Sequence, residues 1–88
     1  MWEIKFNKDT AECWSKYDDF NQAYIEGQIK YLDAICRHYG YLYLNRIYET
    51  FGVEWDHERY NHCLTHERGF KIEYETVGYR EYLIRIMI

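Results

Sequence analysis

The sequence predicts a small α+β domain over residues 1–88, with a three-stranded antiparallel sheet packed against helices. Apolar and charged residues alternate over residues 2–6 and 70–75, and Tyr82, Ile84 and Ile86 share one side of residues 81–87, which indicates strands with one buried face. Apolar residues recur every three or four positions over residues 10–39, which indicates a long amphipathic helix. A strand, two helices and a hairpin in this order are typical of the α+β class.

The first predicted helix begins at Thr10, because Asp9 and Glu12 form a capping-box pattern just before the periodic segment. The phase of the apolar face does not change at Gly27, so one continuous helix is favoured over two. The pattern does not decide whether that helix bends at Gly27. Thirty helical residues would extend roughly 45 Å. A helix of that length would overhang a domain of this size, and an overhanging apolar face needs a partner.

Both faces of this predicted helix carry a recognisable pattern. The polar face has two acid-first pairs at i,i+4, Glu26–Lys30 and Asp33–Arg37, which stabilise a helix. Tyr17, Tyr24 and Tyr31 follow one another at heptad spacing on the apolar face. We expect these tyrosines to lie mostly in the core, although tyrosine also suits a protein interface.

Two glycines delimit a second, shorter helix. Gly40 and Gly52 can each adopt the left-handed conformation that ends a helix. The apolar residues between them recur at helical spacing and predict one buried face: Leu44, Ile47, Tyr48 and Phe51.

The remainder of the chain is predicted to be a loop followed by a hairpin. Residues 53–68 show no sustained period and are expected to be irregular, with a helical turn near residues 60–64. The C-terminal hairpin would turn at residues 76–79. The N-terminal strand is expected to pair beside this hairpin.

Composition narrows the classes of function. Fifteen acidic residues against eleven Lys and Arg give a net charge of −4, which argues against binding to a phosphate backbone. The helices around Gly40 resemble a helix-turn-helix in outline, but the second one carries a single cation, Arg46. No secretory or membrane-spanning apolar run is evident, so we expect a soluble cytoplasmic protein with three reduced cysteines.

One segment could hold a metal ion. His57, His62, Cys63 and His66 lie within ten residues, and His62 and His66 would share a face if the segment were helical. Structural zinc sites usually draw ligands from two spaced pairs, and a second pair is missing here. A solvated loop without a metal or other cofactor is therefore favoured. Cys63 beside His62 has no assured third group to orient a base, so catalysis is not predicted.

The segment GYLYLNRIYETFG, residues 40–52, resembles short proteins encoded by phages and prophages of Gram-positive bacteria. Such proteins often carry a G-Y-L-x-L-N-x-[VI]-Y-x-x-[LF]-G segment, then a loop with a tryptophan, here Trp55, and a C-terminal hairpin, here residues 70–87. The resemblance implies a small phage accessory protein inside a bacterium. Many proteins of that kind block a host defence system, as anti-CRISPR proteins do.

These observations lead to a functional hypothesis. We expect a non-enzymatic inhibitor that binds a host nuclease, such as a CRISPR effector, and covers its basic nucleic-acid-binding surface. The alternatives are a metal-binding protein that uses the histidine-rich segment, and a phage assembly component that self-associates, for example as a homodimer. The residues expected to bind the partner are acidic or aromatic: Glu54, Asp56, Glu58, Glu67, Glu73, Glu75, Tyr24 and Tyr31.

Overall fold

A computed structural model of the chain describes residues 2–55 and 62–87 and confirms the α+β class. Two helices and five strands follow one another along the chain, with a short 3₁₀ helix before the last hairpin. Their bounds are β1 Trp2–Phe6, α1 Asp18–Tyr39, β2 Leu42–Tyr43, α2 Leu44–Thr50, β3 Cys63–Leu64, the 3₁₀ helix His66–Arg68, β4 Lys71–Gly78 and β5 Glu81–Met87.

The main sheet has the strand order β1-β5-β4 and is antiparallel throughout. The N-terminal strand therefore pairs with the hairpin, as predicted, and the last strand occupies the centre. Strict alternation buries one face of each strand, because successive side chains point to opposite sides of the sheet. The buried members of this face are Ile4, Phe6, Ile72, Tyr82, Ile84 and Ile86.

Helix α1 is continuous through Gly27, but it begins eight residues later than predicted. The capping-box pattern at Asp9 and Glu12 does not start a helix. Instead, the Asn7 carboxamide oxygen accepts hydrogen bonds from the backbone N–H groups of Asp9 and Thr10, which closes a turn.

Long-range contacts hold the segment after this turn in a non-helical conformation. Ala11 forms an isolated antiparallel bridge with Val53, and the Glu12 N–H donates to the Gly52 carbonyl at 3.1 Å. The Trp14 indole N–H donates to the Arg80 carbonyl at 2.9 Å. These partners lie far away in the sequence, so the local pattern could not reveal them.

Helix α1 is shorter than predicted, and its actual length corrects two further expectations. Its 22 residues extend roughly 33 Å, close to the 35 Å longest dimension of the molecule, so no overhang is present. Tyr17 and Tyr31 are 64% and 51% exposed rather than in the core, and Tyr24 is half-buried. The heptad spacing of the tyrosines thus follows the edge of the buried face of α1, which is centred on Ile25, Leu32 and Cys36.

The two glycine signals are confirmed. Gly40 has φ +82° and its N–H donates to the Cys36 carbonyl, which ends α1. Gly52 has φ +69° and lies two residues after α2. The predicted face of α2 is buried in full, through Leu44, Ile47, Tyr48 and Phe51.

The helical turn expected near residues 60–64 is not formed by the part of that range that the structure describes. Cys63 and Leu64 are extended and pair with Tyr43 and Leu42, forming a second, two-stranded sheet. The hairpin turn is also displaced from the predicted residues 76–79, because β4 continues to Gly78 and the turn lies at Tyr79–Arg80. Arg80 has φ +57°, the left-handed backbone that a two-residue hairpin turn uses.

The helices and both sheets enclose one hydrophobic core. Its largest fully buried side chains come from distant parts of the chain: Phe6 from β1, Phe51 after α2 and Tyr82 from β5. In the described residues, no helix is both long and apolar enough to cross a membrane.

Candidate functional site

The bridge between Ala11 and Val53 brings together two acidic segments that are about forty residues apart in the sequence. Two adjoining shallow clefts, of about 430 and 450 Å³, open around this bridge and share Glu12 and Glu54 in their walls. Glu49 lines one cleft and Asp9 the other. We call the four carboxylates, Asp9, Glu12, Glu49 and Glu54, the acidic corner.

All four side chains of the acidic corner are exposed. None of them forms an ion pair within residues 2–55 and 62–87. Among the described residues, Lys8 is the cation that lines one of these clefts, the one that also contains Asp9. The corner therefore presents three more negative charges than positive ones, and Trp55 lines the cleft beside Glu54.

The carboxylates of the corner cover a surface rather than converge on a point. No group of three His, Cys, Asp or Glu side chains in the described part of the chain is arranged so that it could hold a metal ion. Spread negative charge of this kind suits a broad positive surface on a protein.

Tyr24 links the elements that carry the acidic corner. Its hydroxyl donates to the Thr50 carbonyl at 2.6 Å and lies 3.3 Å from the Cys13 Sγ, so it joins α1 to the end of α2 and to the segment before α1. Burial and the neighbouring Cys13 raise the pKa of Tyr24 above its usual value. The tyrosine therefore stays neutral, and its hydroxyl is used within the fold rather than offered to a partner.

The carboxylates predicted on the hairpin lie elsewhere and are paired. Glu73 forms an ion pair with Lys71 at 2.7 Å, and Glu75 forms one with Arg85. Arg85 also contacts Glu3 at 3.5 Å. The outer face of the sheet is thus close to balanced in charge, which differs from the negative patch expected there.

The other predicted contact residues are scattered. Glu67 is exposed in the 3₁₀ helix and lines neither cleft of the acidic corner. Tyr31 is on the outer side of α1, where its hydroxyl accepts a hydrogen bond from Arg46 Nη2 at 3.2 Å. Asp56 and Glu58 lie outside the described residues. Of the predicted carboxylates that the structure describes, Glu54 alone lies in the acidic corner.

The histidines of the proposed metal segment have separate surroundings. The His62 ring lies 5.0 Å from that of Trp2. His66 Nε2 lies 2.7 Å from Asp33 Oδ1, while Asp33 Oδ2 accepts from Arg37 Nε at 2.9 Å. Because residues 63–64 are extended, His62 and His66 do not share a helical face as the metal hypothesis required. His57 lies outside the described residues.

The Asp33 carboxylate lies between Arg37 and His66, and its pKa is shifted. Arg37 first, and His66 second, lower the pKa of Asp33 below its usual range. The Asp33–Arg37 pair predicted from the sequence is thus confirmed, whereas Glu26 accepts a hydrogen bond from the Tyr74 hydroxyl at 2.7 Å instead of pairing with Lys30.

The three cysteines are free thiols in different environments: Cys13 is half-buried, Cys36 is buried and Cys63 is exposed. The Cys36 Sγ lies 3.7 Å from the Leu64 carbonyl, and burial raises the pKa of this thiol. A raised pKa disfavours the thiolate that a nucleophile needs.

Sequence reasoning missed three members of the acidic corner. Asp9 and Glu12 match a capping box, and Glu49 falls on the polar face of α2, so each had a local explanation. The density of acidic residues after position 48 was a usable signal. Nothing local, however, indicated that residues 9–12 would lie against residues 49–54.

Comparison of the chain with protein-family models, with curated proteins and with solved structures finds no match. The fold and the site therefore define the chain by structure alone, as a small α+β protein with an acidic corner and a separate sheet surface whose carboxylates are paired.

Proposed function

We propose that this protein is a non-enzymatic inhibitor that binds a cationic, nucleic-acid-binding surface of another protein. The observation that carries the proposal is the acidic corner: four exposed carboxylates without ion pairs in the described chain, around a single lysine. Exposed, uncompensated charge favours association with a surface of opposite sign and steers the encounter.

The corner also has the rigidity that a contact surface needs. Its two halves are joined by the Ala11–Val53 bridge and by the Glu12 N–H hydrogen bond to Gly52. The Tyr24 hydroxyl also donates a hydrogen bond to the Thr50 carbonyl, which fixes the end of α2. A surface that is ordered before binding loses less conformational entropy when the partner docks.

The resemblance to short phage proteins supplies the biological context of the proposal. The partner would be a host defence nuclease, such as a CRISPR effector, whose channel for nucleic acid is lined by Lys and Arg. The carboxylates would occupy positions that phosphates otherwise take, and the bound protein would exclude the nucleic acid.

The test compares two variants that lose the same charge. Glu12→Gln with Glu54→Gln neutralises the corner, and Glu73→Gln with Glu75→Gln is the matched control on the sheet. Each protein is used to capture a partner from a bacterial lysate, and binding to the purified partner is then measured at low and high salt. We expect the corner variant to bind about tenfold more weakly, because each exposed ion pair contributes up to about 1 kcal/mol.

The control variant should bind nearly as the wild type does, since Glu73 and Glu75 are already paired with Lys71 and Arg85. Wild-type binding should weaken as salt rises, and nucleic acid should compete with it. Binding that is indifferent to salt, to competing nucleic acid and to the corner variant would refute the proposal.

A further inference from the structure

The side of α1 that points away from the sheet carries neither a carboxylate nor a Lys or Arg along its length. Its exposed residues recur every three or four positions and are aromatic, small or histidine: Phe20, Ala23, Gly27, Tyr31, Ala34 and His38. We call this set the outer α1 face. Spacing of this kind is the seam along which two helices pack.

This face is large for a surface in contact with water. It follows a helix of roughly 33 Å, and Phe20 and Tyr31 are 55% and 51% exposed. Towards its C-terminal end the face continues into a groove of about 720 Å³ between α1 and α2, whose walls include Tyr41 and Tyr43. Extended apolar surface on a small protein marks an interaction site.

We propose that the outer α1 face binds the same face of a second copy of this chain, with the two helices antiparallel and a twofold axis near Gly27. In a twofold interface, a residue before the axis meets the residue equally far beyond it. Phe20 and Ala34 are each seven residues from Gly27, so a large side chain meets a small one at both ends. Ala23 and Tyr31, each four residues from Gly27, pair in the same way.

Gly27 suits the position on the axis. A side chain there would meet no atom of its own chain within 4 Å, so the fold does not require glycine at this point. Glycine costs a helix about 1 kcal/mol relative to alanine. A close approach of the two helix backbones at the axis gives that glycine a role.

The charges along one edge of the face are self-complementary about a point one residue from Gly27, an offset that long charged side chains can span. In an antiparallel pair, equivalent edges of the two helices meet, so Glu26 lies near the partner's Lys30 and Asp19 near the partner's Arg37. Lys30 forms no ion pair in the described part of its own chain and is available for this contact. Opposite charges thus meet at both positions, and Arg37 also pairs with Asp33 of its own chain.

The size match centres on Gly27 and the charge match on the adjacent residue, and a self-match of this kind is expected of a second copy rather than of an unrelated partner. A parallel pair would set Phe20 against Phe20 and Ala34 against Ala34, with no match in size. The outer α1 face includes no residue of the acidic corner, although Glu49 lines both the groove at the end of this face and a cleft of the corner.

The first test is sedimentation equilibrium of the purified protein over a range of concentrations. We expect a monomer–dimer equilibrium in the wild type. Gly27→Glu should raise the dimer dissociation constant by about tenfold or more, because it sets two like charges on the axis. Gln22→Glu adds the same charge on the same helix away from this face, and it should dimerise as the wild type does. Circular dichroism checks that both variants are folded.

The second test exchanges charges across the interface. Lys30→Glu alone and Glu26→Lys alone should each dimerise more weakly than the wild type, since each sets like charges opposite one another. An equimolar mixture of the two should form a heterodimer, because every facing pair is then of opposite sign. A wild-type protein that stays monomeric at all concentrations would overturn the proposal. So would a dimer that tolerates Gly27→Glu and shows no preference for the mixed pair.

Discussion

At the scale of single residues, Asn21 is the one fully buried polar side chain in the described part of the chain. Its carboxamide oxygen accepts from the Ser15 N–H at 2.8 Å, and its Nδ2 donates to the Ser15 carbonyl at 2.6 Å. The Asn21 side chain therefore takes the place of a backbone partner for Ser15, which belongs to no helix or strand. It fixes the chain just before α1 begins.

Asn21→Ala should lower the free energy of unfolding by about 1–3 kcal/mol, because it leaves two partly buried backbone groups of Ser15 without these partners. Urea unfolding followed by circular dichroism measures this loss. Gln22→Ala is the neighbouring control on the same helix and should cost less than about 0.5 kcal/mol. Equal losses in the two variants would contradict the role given to Asn21.

Asp33 should make stability depend on pH. Arg37 and His66 lower its pKa in the folded protein, so its contribution is present above the unfolded value near 3.9 and is lost as pH falls through the folded value. We expect Asp33→Asn to destabilise the protein near neutral pH and to differ less from the wild type below about pH 4. Urea unfolding at both pH values measures the difference.

Two further variants separate the causes of this effect. Arg37→Gln should remove more of the pH dependence than His66→Gln does, because Arg37 is the larger cause of the lowered pKa. The same destabilisation by Asp33→Asn at acidic and neutral pH would show that the carboxylate's charge is not what stabilises this contact.

At the scale of elements, two glycines with the same backbone conformation have different surroundings. Gly40 ends α1 with open space around the position of a side chain. Gly52 lies against the segment before α1, where a Cβ would be 3.0 Å from the Cys13 Sγ and 3.2 Å from the Cys13 backbone nitrogen. Gly40 is therefore favoured only by its left-handed backbone conformation. Gly52 is favoured by the same conformation and also by the close contact with Cys13.

Alanine substitution distinguishes these two roles. Gly40→Ala should cost about 1–2 kcal/mol, from the left-handed backbone conformation. Gly52→Ala should cost about 1–3 kcal/mol more, because the added methyl group also overpacks against Cys13 and the Glu12 backbone. Thermal or urea unfolding of the two variants gives the comparison. A smaller cost at Gly52 would show that the segment before α1 moves aside freely.

At the scale of the whole molecule, one core joins elements from both ends of the chain. β1 pairs with β5, the segment before α1 pairs with Val53, and Trp14 donates to Arg80 in the hairpin turn. The buried apolar residues that the structure describes belong to this one core rather than to separate cores of a helix or a hairpin. Contacts of this kind couple the parts of the fold to one another.

The protein should therefore unfold in a single cooperative transition. Tryptophan fluorescence reports on the surroundings of Trp2, Trp14 and Trp55, whereas far-ultraviolet circular dichroism reports mainly on the helices. We expect the two signals to give the same urea midpoint, as a two-state domain does. Separate midpoints would show that the helices and the sheet unfold independently.

The sequence by itself determined the elements whose signals are local. Alternation defined the strands, because a sheet with one buried face has a period of two residues. Helical spacing defined the faces of both helices, and the left-handed preference of glycine identified Gly40 and Gly52. The order of these elements then predicted the sheet in which β1 joins the hairpin, and the structure confirms it.

Only the tertiary structure decided where α1 begins, where the hairpin turns and which carboxylates lie together. The capping box at Asp9 and Glu12 is a valid local signal, but the contacts of this segment with Val53, Gly52 and Arg80 outweigh it. The same contacts create the acidic corner, and the ion pairs of β4 with its neighbours neutralise the sheet face. A local pattern specifies what a segment favours alone, whereas a surface depends on distant segments that meet only when the core is complete.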